Sequence, residues 1–159
     1  MLHGQKARRM LALNRPWPLR CLIGICCGGS VECMSAFYNI DKERRLVLSS
    51  GTGVLTREDL LGHMDRLSKD PDFDPDFSQV LDFTQITALE IGPEDVRQLA
   101  QRSIFSPRSR RAFVVKDDFQ YGLARMFEIH RELKGEMGIR VFRTFEEAMD
   151  WITVGDASS

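Results

Sequence analysis

The sequence lacks the features that mark membrane proteins and nucleic-acid binders. No apolar run approaches the roughly 18 to 20 residues that are needed to cross a bilayer. Its 22 basic and 23 acidic side chains give a net charge of −1, whereas nucleic-acid binders carry a strong basic excess. We therefore expect a single cytoplasmic domain that has neither a nucleic-acid partner nor a membrane partner.

Complete motifs for metal, nucleotide or covalent chemistry are also missing. The glycine pair in residues 51–53 lacks the third glycine and the Gly-Lys-Ser/Thr ending of phosphate-binding loops, so we interpret it as a turn. Asp70, Asp72 and Asp74 resemble the start of a calcium loop, but Pro75 stands where such a loop needs glycine. We predict no catalytic residue, no metal and no cofactor, and we expect a protein that is not an enzyme.

Cysteine is absent after residue 33, and this absence marks a change in composition. Residues 1–33 carry five basic side chains and one acidic one, whereas the remainder carries 17 basic and 22 acidic ones. We predict that this segment is a disordered leader outside the domain, read from an upstream start, and that translation begins at Met34. A secretory signal over residues 19–31 remains an alternative, although Arg20 interrupts it. A zinc site is a further alternative, although its spacing would be unusual. Its ligands would be Cys21, Cys26, Cys27 and Cys33.

Apolar residues from residue 35 onward follow strand and helix periods in turn. Alternation over residues 36–48 predicts a β-hairpin, and residues 49–55 are expected to form a loop. Thr56 with Asp59 three residues later is typical of a helix start, which predicts a first helix over residues 56–69.

The second half of the chain repeats a strand-then-helix pattern. Short apolar strands are predicted at residues 80–83, 111–115 and 139–142, each followed by a helix. The order ββαβαβαβα predicts an α/β fold with a mostly parallel sheet, an antiparallel N-terminal hairpin and helices packed on the sheet. The domain is expected to span residues 35–153, followed by a disordered tail at residues 154–159. The predicted buried stripe of the third helix is Phe119, Leu123, Met126, His130 and Leu133.

Particular residues within this pattern resemble a known family. The strand Val-Leu-Asp-Phe-Thr at residues 80–84, the closing strand at 138–142 and the Ala-x-x-Trp helix at 146–152 resemble STAS and SpoIIAA-like domains. The resemblance covers residues 37–152 and implies a STAS-like fold and a regulatory role through protein binding. In antagonist members, a serine at the start of the second helix is phosphorylated. Residues 89–93 have an aliphatic side chain there, which implies a module without the phosphoserine switch.

Eight residues are predicted to contact a ligand or a partner. Clustered guanidinium groups suit anions or acidic partners, and ligands of parallel sheets bind outside the carboxyl ends of the strands. A histidine on the third helix suits a pH-sensitive interface, because imidazole titrates near neutral pH. The candidates are Arg108, Arg110 and Arg111 in one loop, Thr84 and Lys116 at strand ends, and Tyr121, Arg125 and His130 on the third helix.

Two main hypotheses about function follow, beside a weaker third one, an enzyme that uses His130 or Asp82. The first is a non-catalytic regulatory module that binds a protein partner or a second copy of itself, as a homodimer, with Met149 and Trp151 among the contacts. The alternative is a small apolar-ligand or lipid-binding protein similar to Sec14-like domains, with a pocket between the sheet and the third helix. That pocket is predicted to be lined by Phe119, Leu123, Met126 and Phe127.

Overall fold

The structure is a computed structural model, and it describes residues 35–156. The predicted leader, its cysteines and residues 157–159 lie outside the described residues. The elements in chain order are β1 Ala36–Asp41, β2 Leu46–Gly51, β3 Gly53–Thr56, α1 Arg57–Ser68, β4 Ser78–Asp82, β5 Ile86–Glu90, α2 Pro93–Leu99, β6 Arg111–Val114, α3 Asp118–Glu132, β7 Ile139–Phe142 and α4 Phe145–Asp156.

A five-stranded sheet with the order β1-β2-β4-β6-β7 forms the centre of the fold. β1 pairs with β2 in antiparallel orientation, and the remaining neighbours are all parallel. Each parallel step is made through at least one helix, because parallel neighbours need a crossover connection. The predicted fold class, a mostly parallel sheet with an antiparallel N-terminal hairpin, is therefore confirmed.

Residues 49–55 form strands instead of the predicted loop. β2 continues to Gly51, and β3 then pairs in parallel with β5 as a separate two-stranded sheet. Gly53, where β3 begins, has a φ of +66°, which turns the chain away from the central sheet. Serine, glycine and threonine give little hydrophobic signal, so this conformation is set by the pairing of β2 with β1 and β4 and of β3 with β5.

Local capping contacts begin the helices where the sequence predicts. Asp59 N donates to Thr56 Oγ1 at 3.2 Å, and Thr56 N donates to Asp59 Oδ2 at 2.8 Å, which completes the predicted capping box of α1. Asp117 caps α3 by accepting from Gln120 N at 2.8 Å. The last helix, α4, extends to Asp156, so it passes the predicted domain end at residue 153.

The buried face of α3 differs from the predicted stripe. Phe119 is 60% exposed and Leu133 is 80% exposed. The helix therefore buries a stripe that is rotated relative to the prediction and includes three polar residues. Periodicity could not reveal this rotation, because polar side chains are buried only when tertiary partners satisfy them. The buried residues are Gln120, Leu123, Ala124, Glu128 and Arg131.

Apolar clusters cover both faces of the sheet. On one face Ala112 and Val114 of β6 pack with Ala148 and Ile152 of α4. On the other face Phe113 packs in a cluster that includes Ala124 of α3. Successive strand residues point to opposite faces, so β6 supplies both clusters. The face that α1, α2 and α3 cover contains the candidate site.

Candidate functional site

A cavity of about 90 Å³ lies between the sheet and the helices α1, α2 and α3. Its walls are apolar over most of their area and include Leu60, Leu81, Leu99, Leu123 and Phe127. Four elements contribute these side chains, namely α1, β4, α2 and α3. The polar residues of the lining are His63, Gln79, Arg111 and Gln120.

This cavity corresponds in position to the pocket that the sequence suggests between the sheet and the third helix. Leu123 and Phe127 line it, as predicted. Phe119 and Met126 are absent from its lining, because α3 is rotated so that Phe119 faces outward. The lining residues that sequence analysis missed include Leu60 of α1, Leu99 of α2 and Leu89 of β5, whose contribution depends on how the helices pack.

Arg111 is the one charged residue among the described residues that line the cavity. Its side chain is only 6% exposed and lies between two aromatic rings, with centroids 5.1 Å (Phe105) and 5.2 Å (Phe127) from Cζ. Burial lowers the pKa of Arg111 to about 10, against the attraction of Glu136. The group therefore stays charged at neutral pH. Its Nε has no hydrogen-bond partner among residues 35–156.

A second buried arginine, Arg131, forms hydrogen bonds with the carboxylate nearest to Arg111, that of Glu136. Arg131 Nε donates to Glu136 Oε2 at 2.9 Å, and Arg131 Nη2 donates to Glu136 Oε1. Ser103 Oγ donates to Glu136 Oε1 at 2.8 Å, and Arg131 Nη1 donates to the carbonyl of Ala100 at 2.7 Å. These contacts give each guanidinium nitrogen of Arg131 a hydrogen-bond partner. Arg111 Nη1, in contrast, lies 3.7 Å from Glu136 Oε2.

His63 of α1 contributes a second polar group that is not hydrogen-bonded. It is buried, and its Nε2 has no partner within the described part of the chain. Its ring meets the ring of Tyr38 edge-on at 5.6 Å. Burial, and to a lesser extent the charge of Arg66, lower the pKa of His63 to about 4, so the imidazole is neutral at pH 7. It can donate or accept one hydrogen bond there.

The three arginines of the predicted loop are separated by the structure. Arg108 is exposed in a turn, where its backbone N–H donates to Ser106 Oγ at 3.2 Å. Arg110 stacks on Trp151 of α4, with Cζ 3.9 Å from a ring centroid. Arg111 lies in the cavity lining on the opposite face of the sheet. Neighbouring strand residues point in opposite directions, which is why sequence proximity does not make a patch here.

The predicted strand-end residues have local partners and do not line the cavity. Thr84 donates to Asp82 Oδ1 through its backbone N at 2.8 Å and through Oγ1 at 2.7 Å. Lys116 Nζ donates to the carbonyl of Ile86, which attaches the start of β5 to the central sheet. These hydrogen bonds give both side chains a structural role in the fold.

The predicted residues on α3 lie outside the cavity as well. Tyr121 lies under the guanidinium of Arg143, with Cζ 4.6 Å from the ring centroid. Arg125 pairs with Glu128 at 2.5 Å, which is one of the two partners expected from sequence. Glu128 itself is fully buried, and Arg140 also pairs with it at 3.4 Å. His130 is half-buried on the same helix.

His63, Arg131 and Glu136 are site residues that sequence analysis missed. His63 falls between Leu60 and Leu67 at helical spacing, so it lies on the buried side of α1. Arg131 lies four residues after Phe127 on the cavity side of α3. The available signal was a polar residue at a helix position where apolar side chains recur. This signal indicates a buried polar group only when the orientation of the helix on the sheet is known.

Residues 35–156 contain no group of three or more histidine, cysteine, aspartate or glutamate side chains placed to hold a metal ion. Each helix in this range is too short or too polar to traverse a bilayer.

Comparisons with known proteins identify the fold. No family model matches the chain, and no curated protein matches it. Among solved structures, it is similar to an uncharacterised protein of the DUF3478 family with a SpoIIAA-like fold from Shewanella loihica PV-4. The two chains are 18% identical with a TM-score of 0.51, and the match covers 79% of this chain and 99% of the other. The chain therefore has a SpoIIAA-like fold, as the sequence resemblance implies.

Proposed function

We propose that this SpoIIAA-like chain is a cytoplasmic, non-catalytic module that binds a small apolar molecule in the cavity between the sheet and α1, α2 and α3. The cavity itself carries the proposal, because folded domains pack closely and retain few voids larger than a water molecule. A cavity of about 90 Å³ leaves the apolar side chains that line it without packing partners on one side, which costs free energy. A bound apolar group would recover this free energy.

The chemistry of the lining supports binding without catalysis. The four polar lining residues are two glutamines, one arginine and one histidine, so the described lining supplies no carboxylate, thiol or hydroxyl nucleophile. Gln79 Nε2 is bonded to Ser49 Oγ at 2.9 Å, and Gln120 Oε1 accepts from Lys116 N at 3.1 Å. Both amides therefore serve the fold, and the apolar walls dominate recognition.

We also propose that ligand binding replaces phosphorylation as the regulatory input. Gly92, which has no hydroxyl, is the N-cap residue directly before α2, and Asp95 Oδ2 accepts from Gly92 N at 2.8 Å. A carboxylate at this helix start would repel a phosphate group. These two residues support a module that lacks the phosphoserine switch.

The test uses isovaleramide, a neutral probe whose isobutyl group matches the cavity in size. Burying four carbons at about 0.8 kcal/mol each gives about 3 kcal/mol, so binding will be weak and NMR titration is the suitable method. We expect the amide signals of Leu60, Leu99 and Leu123 to shift. No shift at these residues up to the solubility of the probe would refute the proposal.

A matched pair of variants locates the binding. Ala124 lines the cavity and Ala88 is exposed on β5, so Ala124→Leu fills the cavity whereas Ala88→Leu adds the same atoms to the surface. We expect Ala124→Leu to abolish the shifts and Ala88→Leu to preserve them. Shifts that persist in Ala124→Leu would mean that the probe binds elsewhere.

A second candidate function, self-association, is favoured by the outer face of α3. Phe119, Ile129 and Leu133 are 60%, 48% and 80% exposed, and Met126 lies among them. Phe119, Met126 and Leu133 are spaced by seven residues, the repeat with which helices pair. Exposed apolar residues aligned on one helix face mark an interaction surface.

The same face is complementary to a second copy of itself. In an antiparallel pair centred on Met126, Phe119 lies opposite Leu133, and Asp118 lies opposite Lys134. Opposite charges and opposed helix dipoles then meet at both ends. Gly122 lies in the seam and leaves open space, so a partner helix can approach closely. We propose that two copies pair through α3.

Sedimentation equilibrium tests this pairing. We expect wild-type protein to form a dimer and Leu133→Glu to be a monomer, because the substitution buries a charge in the seam. Val154→Glu is the matched control, since Val154 is a comparably exposed apolar residue on α4 and its variant should remain a dimer. A wild-type monomer at every concentration measured would exclude the pairing.

A further inference from the structure

We propose that the cavity is built for a small apolar acid, whose carboxylate binds the guanidinium of Arg111 while its hydrocarbon body occupies the leucine-lined space. This inference rests on the proposed ligand-binding function and specifies the chemical class of the ligand.

The charges around Arg111 do not balance. Two buried guanidinium groups, those of Arg111 and Arg131, share a single buried carboxylate, that of Glu136. Arg131 takes both oxygens of this carboxylate, in the two-point geometry that gives the strongest pairing of arginine with a carboxylate. The cluster therefore carries one uncompensated positive charge, and that charge belongs to Arg111.

The contacts of Arg111 leave its hydrogen-bonding capacity unused. Its guanidinium donates no hydrogen bond to any residue between 35 and 156, and its distance of 3.7 Å to Glu136 is too long for one. Phe105 and Phe127 flank it, and such rings hold a guanidinium in place without accepting strong hydrogen bonds. The group is thus positioned at the cavity without a hydrogen bond, and its ion pair with Glu136 at 3.7 Å is long.

Other buried carboxylates cannot supply the missing charge. Glu128, the fully buried carboxylate of α3, is already paired with Arg125 and Arg140. His63, the other titratable residue of the lining, is neutral at pH 7 and offers only a hydrogen bond. An anion that enters the cavity would therefore be the first full partner of Arg111.

A carboxylate satisfies these conditions best. It matches the planar fork of a guanidinium with two parallel hydrogen bonds. The apolar lining of the cavity suits a small hydrocarbon body such as a short branched chain. An unpaired buried charge destabilises a protein, and such a cost is typical of sites kept for binding.

The first experiment compares isovalerate with isovaleramide, which share one shape and differ in charge. In NMR titrations of the wild-type protein, we expect isovalerate to bind at least about tenfold more tightly than the amide. We also expect isovalerate, and not the amide, to shift the Nε–H signal of Arg111. Equal affinities would refute the acid preference and leave the ligand-binding function standing. Failure of both probes to bind would refute the ligand-binding function itself.

The second experiment removes the charge. Arg111→Met should reduce isovalerate affinity at least about tenfold, to the level of the amide, whereas Arg108→Met, at an exposed arginine, should leave both affinities unchanged. Arg111→Lys keeps the charge without the fork and should fall between wild type and Arg111→Met. The Arg131–Glu136 pair remains intact in all these variants, so we expect Arg111→Met to fold with an undiminished urea midpoint. Retention of the acid preference in Arg111→Met would overturn the assignment.

Discussion

Glu136 is the residue on which the polar cluster beside the cavity depends. It accepts hydrogen bonds from Arg131 and Ser103 and is the nearest carboxylate to Arg111. Burial alone would raise its pKa, but these hydrogen bonds and the two positive charges outweigh burial and lower it. The carboxylate is therefore ionised at neutral pH and holds two guanidinium groups in the protein interior.

We expect Glu136→Gln to destabilise the fold by about 3–5 kcal/mol, because it leaves buried guanidinium groups without an opposite charge. The free energy of unfolding in urea is the measurement. Glu146→Gln is the control, since Glu146 is exposed on α4 and the change should stay within about 0.5 kcal/mol. Equal effects of the two substitutions would show that Glu136 does not compensate the buried charges.

His63 predicts a dependence of stability on pH. Its pKa in the folded state is about 4, whereas an unfolded histidine titrates near about 6.5. Between these values the unfolded chain binds a proton at His63 that the folded chain does not bind. The free energy of unfolding therefore rises with pH in this window. We expect acidification from about pH 7 to about pH 4 to remove up to about 3 kcal/mol at this residue.

Thermal unfolding at a series of pH values from about 5 to about 7 measures this effect above the range in which carboxylates titrate. His63→Leu should lose most of the slope, whereas His130→Leu, at a half-buried histidine outside the cavity, should retain it. If His63→Leu shows the wild-type slope, another group is responsible for the pH dependence.

Single residues show where prediction from sequence ends. The caps at Thr56 and Asp117 were predictable, because each depends on atoms a few residues away. Arg110 and Arg111 look equivalent in the sequence, yet one stacks on Trp151 and the other lines the cavity. Arg110 precedes β6 and Arg111 begins it, and the face of the sheet that each side chain occupies is set by the packing of distant helices.

At the scale of elements, α3 explains both the success and the error of the sequence analysis. Its helical period and its bounds were predictable, and they support the confirmed fold class. Its orientation was not, because apolar residues occur on two sides: Leu123 and Phe127 face the cavity, and Phe119 and Leu133 face outward. Arg131 identifies the buried side of α3 only when its pairing with Glu136 is known.

The close approach of β7 to the loop before β6 gives a prediction for Gly138. Arg111 N donates to the carbonyl of Gly138 at 2.7 Å, and a Cβ on Gly138 would overlap the backbone carbonyl of Ser109. We expect Gly138→Ala to destabilise the protein by about 1–3 kcal/mol in urea unfolding, because backbone must move. Gly62→Ala should be neutral or stabilising, since only the flexible end of Arg66 lies near it. A neutral Gly138→Ala would show that the loop moves without cost.

At the scale of the whole molecule, the two faces of the sheet have different roles. One face packs against α4 through an apolar cluster. The opposite face holds the cavity and the buried arginines. Within that second layer, α3 contributes one side to the cavity and leaves its outer side for a partner. Ligand binding and self-association therefore use different surfaces of one helix.

This separation predicts that the two activities are independent. The cavity lining contains none of Phe119, Met126, Ile129 and Leu133. A ligand shifts an association equilibrium only when its affinity differs between the two states, and the effect is reciprocal. We therefore expect isovalerate to bind wild type and Leu133→Glu with equal affinity in NMR titrations, and to leave the sedimentation of wild type unchanged. An affinity difference of about tenfold, or about 1.4 kcal/mol, would instead show that α3 moves between two positions and couples the cavity to the dimer.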